Sequence, residues 1–156
     1  MRLNPYFKTE KDDPCPLSCI ISCKVRFEEV DSMSVVWHGR YPSYLEDARV
    51  ELGNRLGIRY DDFRSRGYAI PIVRMSIDYI NPLHFEEVFN VEAKLHYTRA
   101  ARLNISYILS RGDSIIATAW TVQLIIDQQG ELCLVAPEFY LDFCEQWKRG
   151  VVGSCE

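Results

Sequence analysis

No stretch of the 156 residues gathers Lys and Arg into a block, and 18 basic residues face 22 acidic ones, for a formal charge of -4. A protein that grips duplex nucleic acid needs a basic face, so that class is set aside. No apolar run is long enough to span a bilayer. Residues 1–13 are polar and charged where a secretory leader would be apolar, so a cytoplasmic protein without a membrane span is expected. Histidine is scarce, and none follows Cys15, Cys19 and Cys23 at finger-like spacing, while Cys133, Cys144 and Cys155 are scattered. A metal site is therefore not expected, and the six cysteines read as reduced thiols serving as small hydrophobes. Internal repeats and low-complexity segments are also missing.

What is present is one domain's worth of chain, 47% of it hydrophobic, enough for a single core. Residues 1–17, with Pro5, Pro14 and Pro16, read as an irregular arm, residues 18–148 as the domain, and residues 149–156 as a flexible tail. Over residues 19–30, Ile21, Cys23, Val25 and Phe27 alternate as a half-buried strand requires. Tyr41, Leu45, Ala48, Leu52 and Leu56 then follow the three-and-four spacing of one helical face. Pro42 suits a first helical turn and Gly57 a C-terminal cap, so both ends of this helix are marked. A short polar helix is expected over residues 60–66.

Four further alternating segments follow, carried by Val73 to Tyr79, Phe89 to Tyr97, Leu103 to Leu109 and Ile116 to Ile126. The links between them are short, which predicts antiparallel neighbours, and residues 137–147 suit a terminal helix. The helix stripe can be buried only against the inner face of this sheet. The fold class is therefore α+β, one long central helix wrapped by a curved antiparallel sheet of about five strands. Unpaired sheet edges predict a homodimer, or a homotetramer by back-to-back packing of sheets.

The chemistry-bearing segment lies between the first strand and the helix. Asp31 sits on a loop, followed by the mostly apolar Val35, Val36 and Trp37 and then by the helix start. That order brings a carboxylate near backbone amides without helical partners, which can hold an oxyanion. Alone, Asp31 would read as a cap or turn residue. Its surroundings change that reading. Asp31, Val35-Val36-Trp37-His38, Tyr41, Tyr44-Leu45-Glu46, Ala48-Arg49 and Leu56-Gly57 resemble the signature of hotdog-fold thioesterases of the 4-hydroxybenzoyl-CoA type, including those associated with the Tol-Pal cluster. Pro71-Ile72-Val73 and residues 76–82 extend the resemblance, which runs from about residue 23 to residue 127.

The resemblance implies a hotdog fold and hydrolysis of an acyl-CoA to free acid and CoA. It needs no metal or redox cofactor, and coenzyme A enters only as part of substrate and product. It implies Asp31 as the catalytic carboxylate, nucleophile or general base, and the His38 and Gly39 amides as oxyanion hole. A catalytic part for the His38 side chain stands beside a capping or packing role. Val36, Trp37 and Tyr41 are read as pocket walls or core. Glu46 is the alternative carboxylate, although Arg49 is its natural ion-pair partner. Thr98, Arg99 and Arg102 form a turn suited to CoA phosphates or to solvent. The sequence departs from the family at Ser34, where most members have glycine, and a serine admits positive φ less readily.

Three other readings stand beside hydrolysis of acyl-CoA. An acyl-carrier-protein thioester is a second substrate, a hydratase would want a His inside the helix, and a non-catalytic acyl-thioester binding module would keep the fold alone.

Overall fold

A computed structural model describes residues 6–152; the first five residues of the expected arm and residues 153–156 of the expected tail, with Cys155, lie outside the described residues. Five strands, β1 (Leu17–Lys24), β2 (Ile72–Tyr79), β3 (Val88–His96), β4 (Arg102–Arg111) and β5 (Ser114–Leu124), form one antiparallel sheet. Their order is β1-β3-β4-β5-β2. Helix α1 (Tyr41–Leu56) lies on one face of this sheet, against β1 and β3, and two shorter helices follow, α2 (Tyr60–Arg64) and α3 (Glu138–Lys148).

The stripe read from the sequence is the one that α1 buries. Tyr41, Leu45, Ala48 and Leu52 are buried, against Cys19, Phe89, Val91 and Ala93 in the same core. Trimming a fully buried leucine of this kind to alanine costs about 2–5 kcal/mol, so Leu45 and Leu52 are major anchors of the helix. Pro42 stands in the first turn, and Gly57 closes the helix at φ 71°, a conformation glycine adopts without strain.

Register fixes which side chains face the helix. Leu17, Cys19, Ile21 and Cys23 on β1 lie beside Leu95, Ala93, Val91 and Phe89 on β3. These in turn continue into Ile105, Tyr107 and Leu109 on β4. Two expectations need correction. The first strand stops at Lys24, because the chain turns into a 3-10 turn at Phe27–Glu29 and leaves Phe27 exposed. The link after β2 does not join neighbours: β2 pairs with β5 at one edge, and β3 lies between β1 and β4. A short link can span this gap because the sheet curls.

Strand β5 shows what alternation alone leaves open, the face on which its apolar residues lie. Its alternating Thr118, Trp120, Val122 and Leu124 lie on the outer face, since the inner residues of β4 pair with Ala117, Ala119, Thr121 and Gln123. Apolar residues suit that outer face because the N-terminal arm covers it. Tyr6 stacks on Trp120 at 3.8 Å between ring centroids, and Phe7 is buried against His96. The arm is held again where the Trp147 indole donates to the Cys15 carbonyl at 3.0 Å.

Cys15, Cys23, Cys133 and Cys144 are free thiols. Burial, with Asp47 and Glu29 nearby, pushes the Cys23 thiol to about 11, so it stays protonated at neutral pH. No group of His, Cys, Asp and Glu among the described residues has the arrangement of a metal site. No helix among the described residues is long and apolar enough to cross a membrane.

Candidate active site

The Asp31 loop is a closed ribbon. Val30 bridges Val36, the Asp31 amide donates to the Val35 carbonyl at 2.9 Å, and the Trp37 amide donates to the Glu29 carbonyl at 2.9 Å. At its tip the Ser34 amide donates to the Asp31 carbonyl at 3.0 Å, and the Met33 amide donates to Asp31 Oδ1 at 2.8 Å. Side chain and backbone of Asp31 thus both brace the turn, as an Asx turn does. Ser34 takes φ 63°, so the conformation that favours glycine is held here by a serine. The Asp31 side chain is half-buried.

The ribbon is tied to the sheet and to α1. The Val36 amide donates to the Leu83 carbonyl at 2.8 Å, which docks the loop on the link between β2 and β3. His38–Arg40 forms a 3-10 turn that runs directly into α1. Tyr79, at the end of β2, donates its hydroxyl to the His38 carbonyl at 2.8 Å, and its ring meets Tyr41 edge-on. Burial pushes the Tyr79 hydroxyl above its usual range, so it remains a donor.

This anchoring leaves two donors free. The Arg40 amide is used within the turn, donating to Trp37, but the His38 and Gly39 amides meet no acceptor among the described residues. They are the first amides of the helical entry, where the dipole favours negative charge. A Cβ at Gly39 would meet the Trp37 ring, so a larger residue there must push that ring aside. The His38 imidazole is exposed and lies beside Trp37, with ring centroids 5.2 Å apart. Of the expected pocket walls, Val36 and Tyr41 are core residues, while Trp37 is 48% exposed.

Glu46 pairs with Arg49, as their spacing on the helix predicts. Arg99 pairs with Glu145 on α3, and the Thr98 carbonyl faces Cys144. The turn of residues 98–102 follows the end of β3, whereas Tyr79 and the Asp31 loop stand beyond its start. A nine-residue strand spans about 30 Å. Within one chain, then, Asp31 and the arginine turn lie at opposite ends of the sheet. Sequence reasoning missed Tyr79 as an anchor of the helix entry; an aromatic at the end of a strand gives no sign of where its hydroxyl points.

Comparison with known proteins bears on the family and the fold. A family model described as the thioesterase-like superfamily matches residues 25–143. A 1,4-dihydroxy-2-naphthoyl-CoA hydrolase of Synechococcus elongatus is 29% identical over 123 residues, which make up 78% of this chain and 90% of the relative. Among solved structures, a hypothetical protein from Thermus thermophilus is 30% identical with a TM-score of 0.73, over 83% of this chain and 96% of that one. The DHNA-CoA thioesterase from Staphylococcus aureus superposes with a TM-score of 0.75 at 22% identity, over 85% of this chain and 90% of its own. At that identity it speaks for the fold.

Proposed function

The chain belongs to the thioesterase-like superfamily, and from that membership we propose that it hydrolyses an acyl-CoA to free acid and CoA, with Asp31 as the reacting carboxylate. In the net reaction water supplies the new oxygen of the acid, the carbon–sulfur bond breaks, and the CoA thiol leaves. The observation that carries this reading is the pair of unaccepted amides at His38 and Gly39, in the 3-10 turn that directly follows the closed ribbon of Asp31. Such donors stabilise the oxygen of a thioester as negative charge gathers on it. Asp31 supplies the other half of the chemistry, either attacking the carbonyl carbon or taking a proton from water. Trp37, half exposed beside these amides, suits a wall of the acyl site.

The proposed enzyme works as a homodimer joined along β2. That strand is an edge, and Val73, Met75, Tyr79 and Ile80 on or beside it are 37–50% exposed. A two-fold axis normal to the sheet would make the new pairing antiparallel and keep both copies of α1 on the same side. It would also bring the partner subunit's Arg102 to the end of the assembly where Asp31 stands. The arginine turn then meets CoA in trans, which removes the separation found within one chain. The arm over Trp120 covers part of the face that back-to-back tetramers would need, so the dimer is the favoured assembly.

The decisive experiment measures hydrolysis of short, long and aromatic acyl-CoA substrates by the wild type and by Asp31→Asn, each with its fold verified. Turnover is expected to fall by about a hundredfold or more with KM little changed. Equal rates for the two proteins would move the chemistry away from Asp31.

A further inference from the structure

One peptide bond at the entry to α1, between His38 and Gly39, carries a free donor on one side and a side-chain contact on the other. Its N–H is the Gly39 amide, which meets no acceptor among the described residues, and its carbonyl belongs to His38 and receives the Tyr79 hydroxyl at 2.8 Å. The peptide is trans, and in a planar trans peptide the N–H points opposite to the C=O. A donor held behind the carbonyl therefore fixes the direction in which the amide in front is aimed.

Little else fixes it. An amide in the first turn of a helix lacks the intrahelical partner that holds later ones, and glycine leaves its flanking peptides freer to rotate than any other residue does. The Arg40 amide closes the turn onto the Trp37 carbonyl, but it belongs to the next peptide along.

Tyr79 is well braced for this task. It ends β2 beside Ala117 of β5, and the two amides that follow it, of Ile80 and Asn81, donate to the Ile116 carbonyl at 2.9 and 3.0 Å. Asn81 Nδ2 adds a bond to the Ile115 carbonyl at 2.7 Å. The Tyr79 ring rests edge-on against Tyr41 of α1, with centroids 4.8 Å apart. Its hydroxyl thus reaches His38 from a rigid element, as precise placement of a donor requires. The same bond acts electronically: hydrogen bonds in series polarise one another, so a carbonyl that accepts a proton makes the N–H of its own peptide a stronger donor.

We propose that Tyr79 is a positioning residue for thioester hydrolysis, its hydroxyl acting through the His38 carbonyl to aim and strengthen the Gly39 amide as a donor to the thioester oxygen. The proposal rests on the reading of these amides as the oxyanion hole.

Tyr79→Phe tests it, because the variant loses the hydroxyl and keeps the ring against Tyr41. His38 is the only histidine followed by glycine, so NMR-active isotopes placed in histidine carbonyl carbons and glycine nitrogens single out this peptide in the spectrum of the full chain. Both its carbonyl and its amide resonances are expected to move upfield in the variant, with the other glycine amides and the melting temperature little changed. Removing an oxyanion donor outright costs about a hundredfold or more in kcat, so one left unaimed is expected to cost about tenfold, with KM changed by less than about twofold. A tyrosine that only braced the fold would lower the melting temperature and leave kcat alone. An unmoved peptide signature, an unchanged kcat or a loss carried by KM alone would each overturn the proposal. Asp31→Asn measured alongside separates the two readings. A fully active Asp31→Asn beside a slow Tyr79→Phe moves the reacting group elsewhere and keeps the clamp, whereas a slow Asp31→Asn beside a fast Tyr79→Phe keeps Asp31 and overturns the clamp.

Discussion

Ser34 carries the one departure from the family pattern, and the chain absorbs it by holding serine at φ 63° in the turn that Asp31 braces. A left-handed conformation costs an ordinary residue about 1–2 kcal/mol, part of which glycine would return through its freer unfolded chain. Ser34→Gly should therefore raise the midpoint of urea unfolding modestly, and Ser34→Val, β-branched at positive φ, should lower it. At Gly39 the constraint is the Trp37 ring rather than φ. Gly39→Ala is expected to displace that ring and to disturb both free amides. A large loss of kcat with a small change in melting temperature would identify this position as part of the active site; an unchanged kcat would remove the amide from the chemistry. Arg49 shows the same lesson from the other side, since its pairing with Glu46 was legible from helical spacing but its unsatisfied Nη1 was not.

At the scale of elements, strand β2 is where apolar alternation and burial disagree. Met75 and Tyr79 share the inner face with Thr121 and Ala117 through their pairing with β5, yet both stay exposed because β2 is an edge. An apolar strand edge left open is an invitation to another strand. Val73→Lys combined with Met75→Glu should shift the protein from dimer to monomer in sedimentation velocity at micromolar concentration, and activity should fall with the dimer. A monomeric wild type of full activity would refute the shared site. Helix α1 is the converse case. Its stripe, its Pro42 start and its Gly57 end were all legible, because helix burial here follows local periodicity and local φ.

For the whole molecule, the arm and the outer face of the sheet set a pH dependence. His96 is buried under Phe7 and bonded through Nε2 to Ser106 at 2.7 Å. Burial, with Lys94 nearby, lowers its folded value below the ordinary 6.5. The folded state thus binds fewer protons than the unfolded chain, so this contribution to stability is full above about pH 6.5 and is lost as pH falls through the folded value. The melting temperature of the wild type should drop more steeply from pH 8 to pH 5 than that of His96→Gln; parallel curves would exclude His96 as the cause. The sequence by itself determined the helix, the five strands, the family resemblance and the Asp31 segment, since each is written in spacing between near neighbours along the chain. Only the tertiary structure decided that β2 leaves β3 for the far side of β5, that the apolar face of β5 looks outward, and that residues 98–102 stand at the opposite end of the sheet from Asp31. Those outcomes depend on which distant surfaces meet, and period-two alternation is the same whichever neighbour a strand takes and whichever side is covered.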